Sequence, residues 1–501
     1  MTIPSVEIIV ADNGVNTALQ LPQQNVQVVL GCSSTGTPNV PFATTVASKL
    51  TDTFGYGPMP EAAGLVCSAG GTVIAVQLPI VTPGTAKAVQ KVGTGTSVVT
   101  TTLDGTVGAF DDYFVEVLVA LGGTIATGPI QIQISLDAGR HFGPLINLGT
   151  ANTYVIPNTG ITLNFGAGTL VAADTYKFQT IAPQWNISGV QAAIAALAAS
   201  VFAVQGWGSM HLVGPISAAD AATVNGYIDS LRTRYNFARI LLSARDAAAP
   251  TAWGGSGESE AAWMTSLETA FSATDAKRIV VAGGYYNTPS SFPNAAAGTP
   301  SYRRSGQWAS AARRVQIQPN NSTWRVRDGS LANIVVDPTT DPGDGFIYHD
   351  EAQTPGLDAA RLMSFRTWPK KQGIFCTRDP LMSGVGSQFT LLPYGNVIDV
   401  ACTIGYETGV EIVGDDLLTN PNGTLQSQEA LKLQNGILAA INDNMTAVGM
   451  ISSAVVAVDL NANVQSTGNV PVSITITQRT VIGKVTETVG LSIPFAAPTS
   501  P

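Results

Sequence analysis

Between Val92 and Pro183 the chain alternates apolar and polar residues with a period of two, while on either side of that stretch amphipathic helices separate short apolar strands. A chain that leaves a helix–strand rhythm and later resumes it has to complete one α/β layer across an insertion. The interrupting segment contains Tyr113–Val119 (YFVEVLV), Ile130–Ser135, Tyr154–Pro157, Ile161–Phe165 (ITLNF) and Asp174–Thr180, each bounded by Gly or Asn-Thr-Gly turns. Short strands at such spacing predict a small antiparallel β-sandwich.

Ahead of the interruption, Ser5–Val10 and Asn25–Gly31 read as strands, Val46–Phe54 as a short helix before a GYGP turn, and Thr72–Leu78 as a strand. Behind it, Val190–Val204, Ala218–Tyr235 and Glu258–Ser272 read as helices between the strands Ser209–Val213, Phe237–Ser243 and Lys277–Ala282. Apolar strands between amphipathic helices predict a largely parallel sheet covered on both faces. Beyond Val400 the pattern changes to a long helix, Leu425–Val448, and three strands, Ala454–Val458, Val472–Val481 and Lys484–Ile493. Both ends of the chain are therefore strand-prone, and an unprotected edge strand is a liability unless another chain pairs with it.

Only 12% of the 501 residues are charged, against 45% hydrophobic. That is about half the ~25% typical of soluble proteins. A surface this poor in charge suits a protein buried against copies of itself, although a Thr/Gly-rich secreted or β-rich domain has the same composition. The net charge of -9 and the absence of Lys/Arg runs disfavour a direct grip on nucleic acid. No apolar run approaches the ~20 residues of a membrane-spanning helix, so no membrane insertion is expected, and MTIPSVEIIVADNG lacks the features of a signal peptide. Cys32, Cys67, Cys376 and Cys402 are scattered singly and read as small buried hydrophobes of a reducing compartment.

The search for chemistry gives little. His211 lies in an apolar strand and reads as a satisfied core histidine. His349-Asp350-Glu351 is the one cluster of histidine with acids, a metal or acid/base candidate whose plainer reading is a solvated loop. Gly384-Val385-Gly386 would need Gly where Phe389 stands to complete a dinucleotide-binding turn, and no glycine loop is followed by a phosphate-binding lysine. In CTRDPLMSGVGSQFTLLPYGNVIDVA, from Cys376 to Ala401, Arg378 and Asp379 are expected to form a structural corner with Asp399. No catalytic residue, metal site or cofactor is expected.

These stretches carry a resemblance. VQVVLGCSSTGTPNVPFATTVASKLTDTFGYGP, the interrupted α/β body, and the Thr-Arg-Asp, Gly/Ser loop and LLPYGNVIDVA of the Cys376–Ala401 segment together resemble the tail sheath protein of contractile phage tails and related contractile injection systems. Asn396 stands where the resemblance would place Arg, while Asp399 fits, and Arg378 is the expected substitute. The resemblance implies a multidomain α/β (α+β) chain: a sheath-like core with an inserted antiparallel β-sandwich and strand-forming arms at both ends. The division it implies is an N-terminal arm at 1–24, a first part of the core at 25–90, an outer insertion at 91–183, the α/β sheath domain at 184–380 and a C-terminal domain with its β-arm at 381–501.

It further implies a structural subunit, not an enzyme, that polymerises as stacked rings around a tail tube and contracts to drive the tube through a host envelope. Its implied partners are other copies in a sixfold helical array, the tube protein, and baseplate and tail terminator proteins. Its implied place is the contractile tail of a virion, made in the bacterial host cytoplasm. Val6, Ile8 and Val10 at one end, and Val485, Val489 and Leu491 at the other, are the candidate strands linking subunits by β-augmentation. The alternatives are an α/β hydrolase or carbohydrate-active enzyme using His349, Asp350 and Glu351, and a surface protein whose inserted sandwich binds carbohydrate or attaches to a host.

Overall fold

The computed structural model describes residues 25–335 and 345–487. The body is a six-stranded sheet in the order Ile279–Ala282, Ile240–Ser243, Ser209–Pro215, Val26–Gly31, Thr72–Gln77, Pro41–Thr44. The first five are parallel, and Pro41–Thr44 closes one edge antiparallel to Thr72–Gln77.

The strands read as unbroken apolar runs because both faces are covered. Alternate side chains point to opposite faces. Val28, Leu30, Ile240 and Leu242 pack with Val190, Ile194, Val224, Ile228, Trp263 and Leu267 from the helices Ile187–Ala199, Ala218–Ser230 and Glu260–Phe271. Val29 and Leu241 face the other way, Val29 against Met59 and Val66 of the helix Pro58–Ser68 and Trp308 of the helix Gly306–Arg314, Leu241 against Ala309 and Ala311. The helix Pro58–Ser68 begins where the sequence shows only a GYGP turn. Pro58 sits at its first position, where a missing N–H costs nothing and the fixed φ suits the helix.

Between Thr85 and Ile181 the strands form sheets of their own. Ile146–Asn147, Gln131–Ser135, Phe114–Leu121, Thr175–Ile181 and Thr85–Ala86 make one antiparallel sheet, and Thr153–Ile156, Ile161–Phe165 and Val99–Leu103 make a second. Their inner faces share one core, in which Val115, Val117, Ile132 and Phe178 meet Val99, Ile156, Leu163 and Phe165. Tyr302, from the hairpin Tyr285–Pro289/Ser301–Ser305, joins the same core and seats the sandwich on the body.

The C-terminal unit stacks the helices Leu392–Val410 and Ser427–Ile441 on the hairpin Ile451–Val458/Val472–Gln478. Val397, Ile404, Leu433, Ile437, Met445 and Val456 form its core, with Ile474 and Ile476 packed on it. Val472, Ile474 and Ile476 share a face, as their spacing predicts, and Ser473, Thr475 and Thr477 lie exposed on the other. Gly436 does not interrupt its helix, which ends in one π-helical turn, Asn442–Thr446. No helix among the described residues is long and apolar enough to cross a membrane.

Candidate functional site

Asp399 stands on the helix Leu392–Val410 and is 6% exposed. Its carboxylate lies 2.9 Å from Arg239 Nε and 2.9 Å from Arg278 Nη1. These two arginines immediately precede the strands Ile240–Ser243 and Ile279–Ala282, whose register sets Ile240 beside Ile279, so the sheet itself brings both guanidinium groups to one point. The helix approaches closely because Gly395 has no side chain; a Cβ there would collide with the Arg239 guanidinium. Arg278 is shared with Asp229, at 3.1 Å. One buried acid thus fastens the C-terminal unit to the amino end of the body sheet.

Arg378 is not Asp399's partner. It forms a bidentate pair with Asp358, at 2.7–3.0 Å. Asp379 is separate again: fully buried, its Oδ2 accepts hydrogen bonds from Thr323 N and Oγ1 at 3.1 and 3.2 Å. Burial raises its carboxyl above the ordinary range, against the opposing effect of Arg314. The expected three-residue corner is therefore three distinct joints. Adjacent residues of an extended chain point to opposite sides, which separates Arg378 from Asp379, and the true partners of Asp399 lie more than a hundred residues upstream. Asn396, in the place of the implied Arg, reaches the carbonyl of Pro319 at 3.4 Å. The available signal for Arg239 and Arg278 was an Arg at the mouth of each of two apolar strands, ARILLS and KRIVVA.

His349 corrects a second expectation, that of a solvated loop. It is 1% exposed, with Nδ1 2.8 Å from Glu260 Oε1 and Nε2 2.9 Å from Glu351 Oε2. Burial works against its charged form, but the hydrogen bonds to Glu351 and Glu260 outweigh it and hold its pKa above the usual value. Glu351 also caps Gly356 N and Asp358 N, and Asp350 is turned away to Thr367. Both ring nitrogens are occupied by acids that close a loop, so the cluster is organised as a clamp. No group of three or more His, Cys, Asp or Glu among the described residues could hold a metal ion. His211 is fully buried as expected, yet neither ring nitrogen has a hydrogen-bond partner among the described residues, against the expectation of a satisfied histidine; burial lowers its pKa to about 3 and keeps it neutral against Trp308. Of the cysteines, Cys32 and Cys376 are buried but Cys402 is exposed.

The terminal hairpin is a two-stranded sheet, so among the described residues both of its outer edges are without a ladder partner. Val455 on the hairpin, and Ile482 and Val485 beyond it, are 60%, 70% and 68% exposed. Residues 479–487 belong to no strand, so the strand expected from Lys484 is not formed over its described part, and Val485 lies beyond the hairpin outside any sheet. Val6, Ile8, Val10, Val489 and Leu491 lie outside the described residues.

The family model described as DUF2586, N-terminal domain, matches residues 3–380. No curated protein sequence matches the chain. Among solved structures, the sheath complex of an extracellular contractile injection system, PVC, in its contracted state is similar at a TM-score of 0.51 and 7% identity, covering 98% of this chain and 99% of that one. The contracted baseplate of the anti-feeding prophage (AFP) matches at 0.51 and 10%, covering 99% and 100%. A sheath tail protein from Desulfitobacterium hafniense matches at 0.46 and 12%, covering 95% and 100%. The two contracted assemblies show a shared fold over nearly the whole chain.

Proposed function

This chain belongs to the DUF2586 family, and we propose that it is a structural subunit of a contractile sheath. The observation that carries the reading is the terminal hairpin: two strands whose outer edges have no ladder partner among the described residues, followed by a strand-prone sequence, on a fold shared with contracted injection-system assemblies. A monomer gains nothing from such an edge, whereas a neighbouring chain that adds a strand satisfies its N–H and C=O groups. Val485, Val489 and Leu491 at one end, and Val6, Ile8 and Val10 at the other, are the proposed linking strands. A heterologous contact repeated without closing yields a helical tube.

Within this reading the sheath surrounds a tail tube and ends on baseplate and terminator proteins in a sixfold array, in the tail of a phage or a related particle. The units are the terminal arm 1–24, the core segments 25–90 and 184–380, the outer insertion 91–183 and the C-terminal domain 381–501. Contraction is a shift of the whole lattice to a lower-energy packing, with the arms keeping neighbours connected. The Asp399 joint holds the C-terminal unit, hairpin included, on the body while it bears load, and the Arg378 and Asp379 contacts brace the body beneath it. The hydrolase alternative loses its acid/base candidates to the His349 clamp.

Negative-stain microscopy of the purified full-length chain tests the proposal. Rings, tubes or long sheath-like particles are expected; a monomer that persists at high concentration overturns it.

A further inference from the structure

The body sheet has a topological switch point between Val26–Gly31 and Ser209–Pro215: the chain leaves the first strand toward Thr72–Gln77 and returns to its other side. Open α/β sheets bind ligands in the crevice at the carboxyl ends of such strands. Here that crevice is a cavity of about 370 Å³ lined by Cys32, just beyond the first strand, by Val213–Pro215 at the end of the second, and by the neighbouring Ser243. It lies where the inserted sandwich meets the body, with Asp112 on the sandwich side. The volume is within the range of small-ligand sites.

The charges around it do not cancel. Arg304 is held bidentately by Asp111 at 2.6 and 2.9 Å, and Arg303 by Asp246 at 2.6 and 2.9 Å. Two further carboxylates line the cavity with no ion-pair partner among the described residues. Asp112 accepts a hydrogen bond from Ala182 N at 2.7 Å, and Asp220 accepts one from the Ser217 hydroxyl at 2.8 Å. The aromatic walls tell the same story. Trp308 already carries Arg304 at 4.7 Å and Tyr285 carries Arg303 at 6.0 Å, but no cation among the described residues lies over Trp185. Ser243, 2% exposed, presents an Oγ with no hydrogen-bond partner among the described residues.

The geometry points to a binding site for an organic cation, an alkylammonium or guanidinium group, seated between Asp112 and Asp220, against Trp185, with Ser243 Oγ as a hydrogen-bond partner. Carboxylates and an indole face are the groups that recognise such a cation. The cavity exceeds what a bare metal ion needs, and the donor set offers no metal-binding cluster. The cation has two possible sources, a free amine or a Lys or Arg side chain of a neighbouring copy; the second rests on the assembly reading above.

The test uses the full-length chain and agmatine, with n-butanol as the neutral comparison and inorganic phosphate as the anionic one. Titration calorimetry and thermal shift are run at pH 8 and constant ionic strength. There Asp112 is ionised, because burial and then Asp111 push its pKa up only to about 6, with Arg304 opposing and Asp246 adding to the rise. Saturable binding and stabilisation by agmatine alone are expected. Asp112→Asn and Asp220→Asn, which retain a hydrogen-bond acceptor, should each raise the half-saturating concentration about tenfold or more, as the loss of a charge-assisted contact does. Asp52→Asn, at an exposed pair, should not. Binding that persists in assembled particles assigns the site to a free amine; binding by the dispersed chain that vanishes on assembly assigns it to a neighbour's side chain. Absence of saturable binding, preference for phosphate, or wild-type affinity in both correctly folded Asn variants overturns the inference.

Discussion

Replacing Asp399 by Asn keeps the shape of the joint and removes its charge. Arg278 retains Asp229, at 3.1 Å, but Arg239, with a side chain only 3% exposed, loses its carboxylate partner. Breaking a buried pair from one side costs about 3–5 kcal/mol, because the remaining charge stays out of water. With one of the two arginines still partnered, the cost belongs at the lower end, about 3 kcal/mol. In a cooperative unit of roughly 150–250 residues that corresponds to a fall in Tm of about 6–12 °C. Calorimetry on the purified chain measures it, and hydrogen exchange of residues 392–410 locates it, since the helix should exchange faster while the sandwich stays protected. Removing both charges, as Arg239→Met with Asp399→Leu, should recover most of the loss, because an apolar pair of similar volume needs no compensation. Asp52→Asn, whose partner Lys49 is as exposed as it is, should change stability by less than about 1 kcal/mol. A melting temperature for Asp399→Asn within a degree of wild type, or a double variant that sums two losses, would refute the account of Asp399 as the bolt.

The His349 clamp should be pH-dependent with a definite sign. Its raised pKa means that the stabilisation is fully present below the ordinary value of about 6.5 and is lost as pH rises through the folded-state value. Glu351, held below its ordinary range by the same contact despite burial, contributes above about 4.5 and loses its share in stronger acid. His349→Gln should thus cost about 1–3 kcal/mol near pH 6 and progressively less in alkali; a calorimetric difference that is constant from pH 6 to 9 would contradict this. Removing residues 484–501 leaves the hairpin and its core contacts in place, so the chain should stay folded by circular dichroism while tube formation in the microscope is abolished. Tubes of normal length would sink the arm assignment.

Most elements were legible because local pattern and tertiary environment agree. The run ITLNF at Ile161–Phe165 and the ten-residue rhythm around it predict a sandwich, and each apolar strand of the body is short enough to be a strand and too apolar to be exposed. The resemblance to sheath proteins also rested on sequence alone, and the fold agrees with it. The helix Pro58–Ser68 was missed because a Pro-rich start reads as a turn unless the following residues have a surface to cover.

Charged residues divide differently. The corner expected at Asp399 came with Arg378 and Asp379 as its partners; the structure gives Asp399 Arg239 and Arg278 instead, and neither was legible as its partner. Sequence spacing carries information over a few turns of helix or one strand pair, whereas Arg239 and Arg278 reach Asp399 only because parallel strands in register place their first residues side by side. The same holds for His349, whose burial depends on Glu260 from a helix nearly ninety residues earlier. The order of apolar and polar residues determined which elements form and the class of fold they build. Which charges meet, and which are left facing the crevice at the switch point, was decided by how those elements pack, because an ion pair needs two groups within a few ångströms and the chain brings distant residues that close only when it folds.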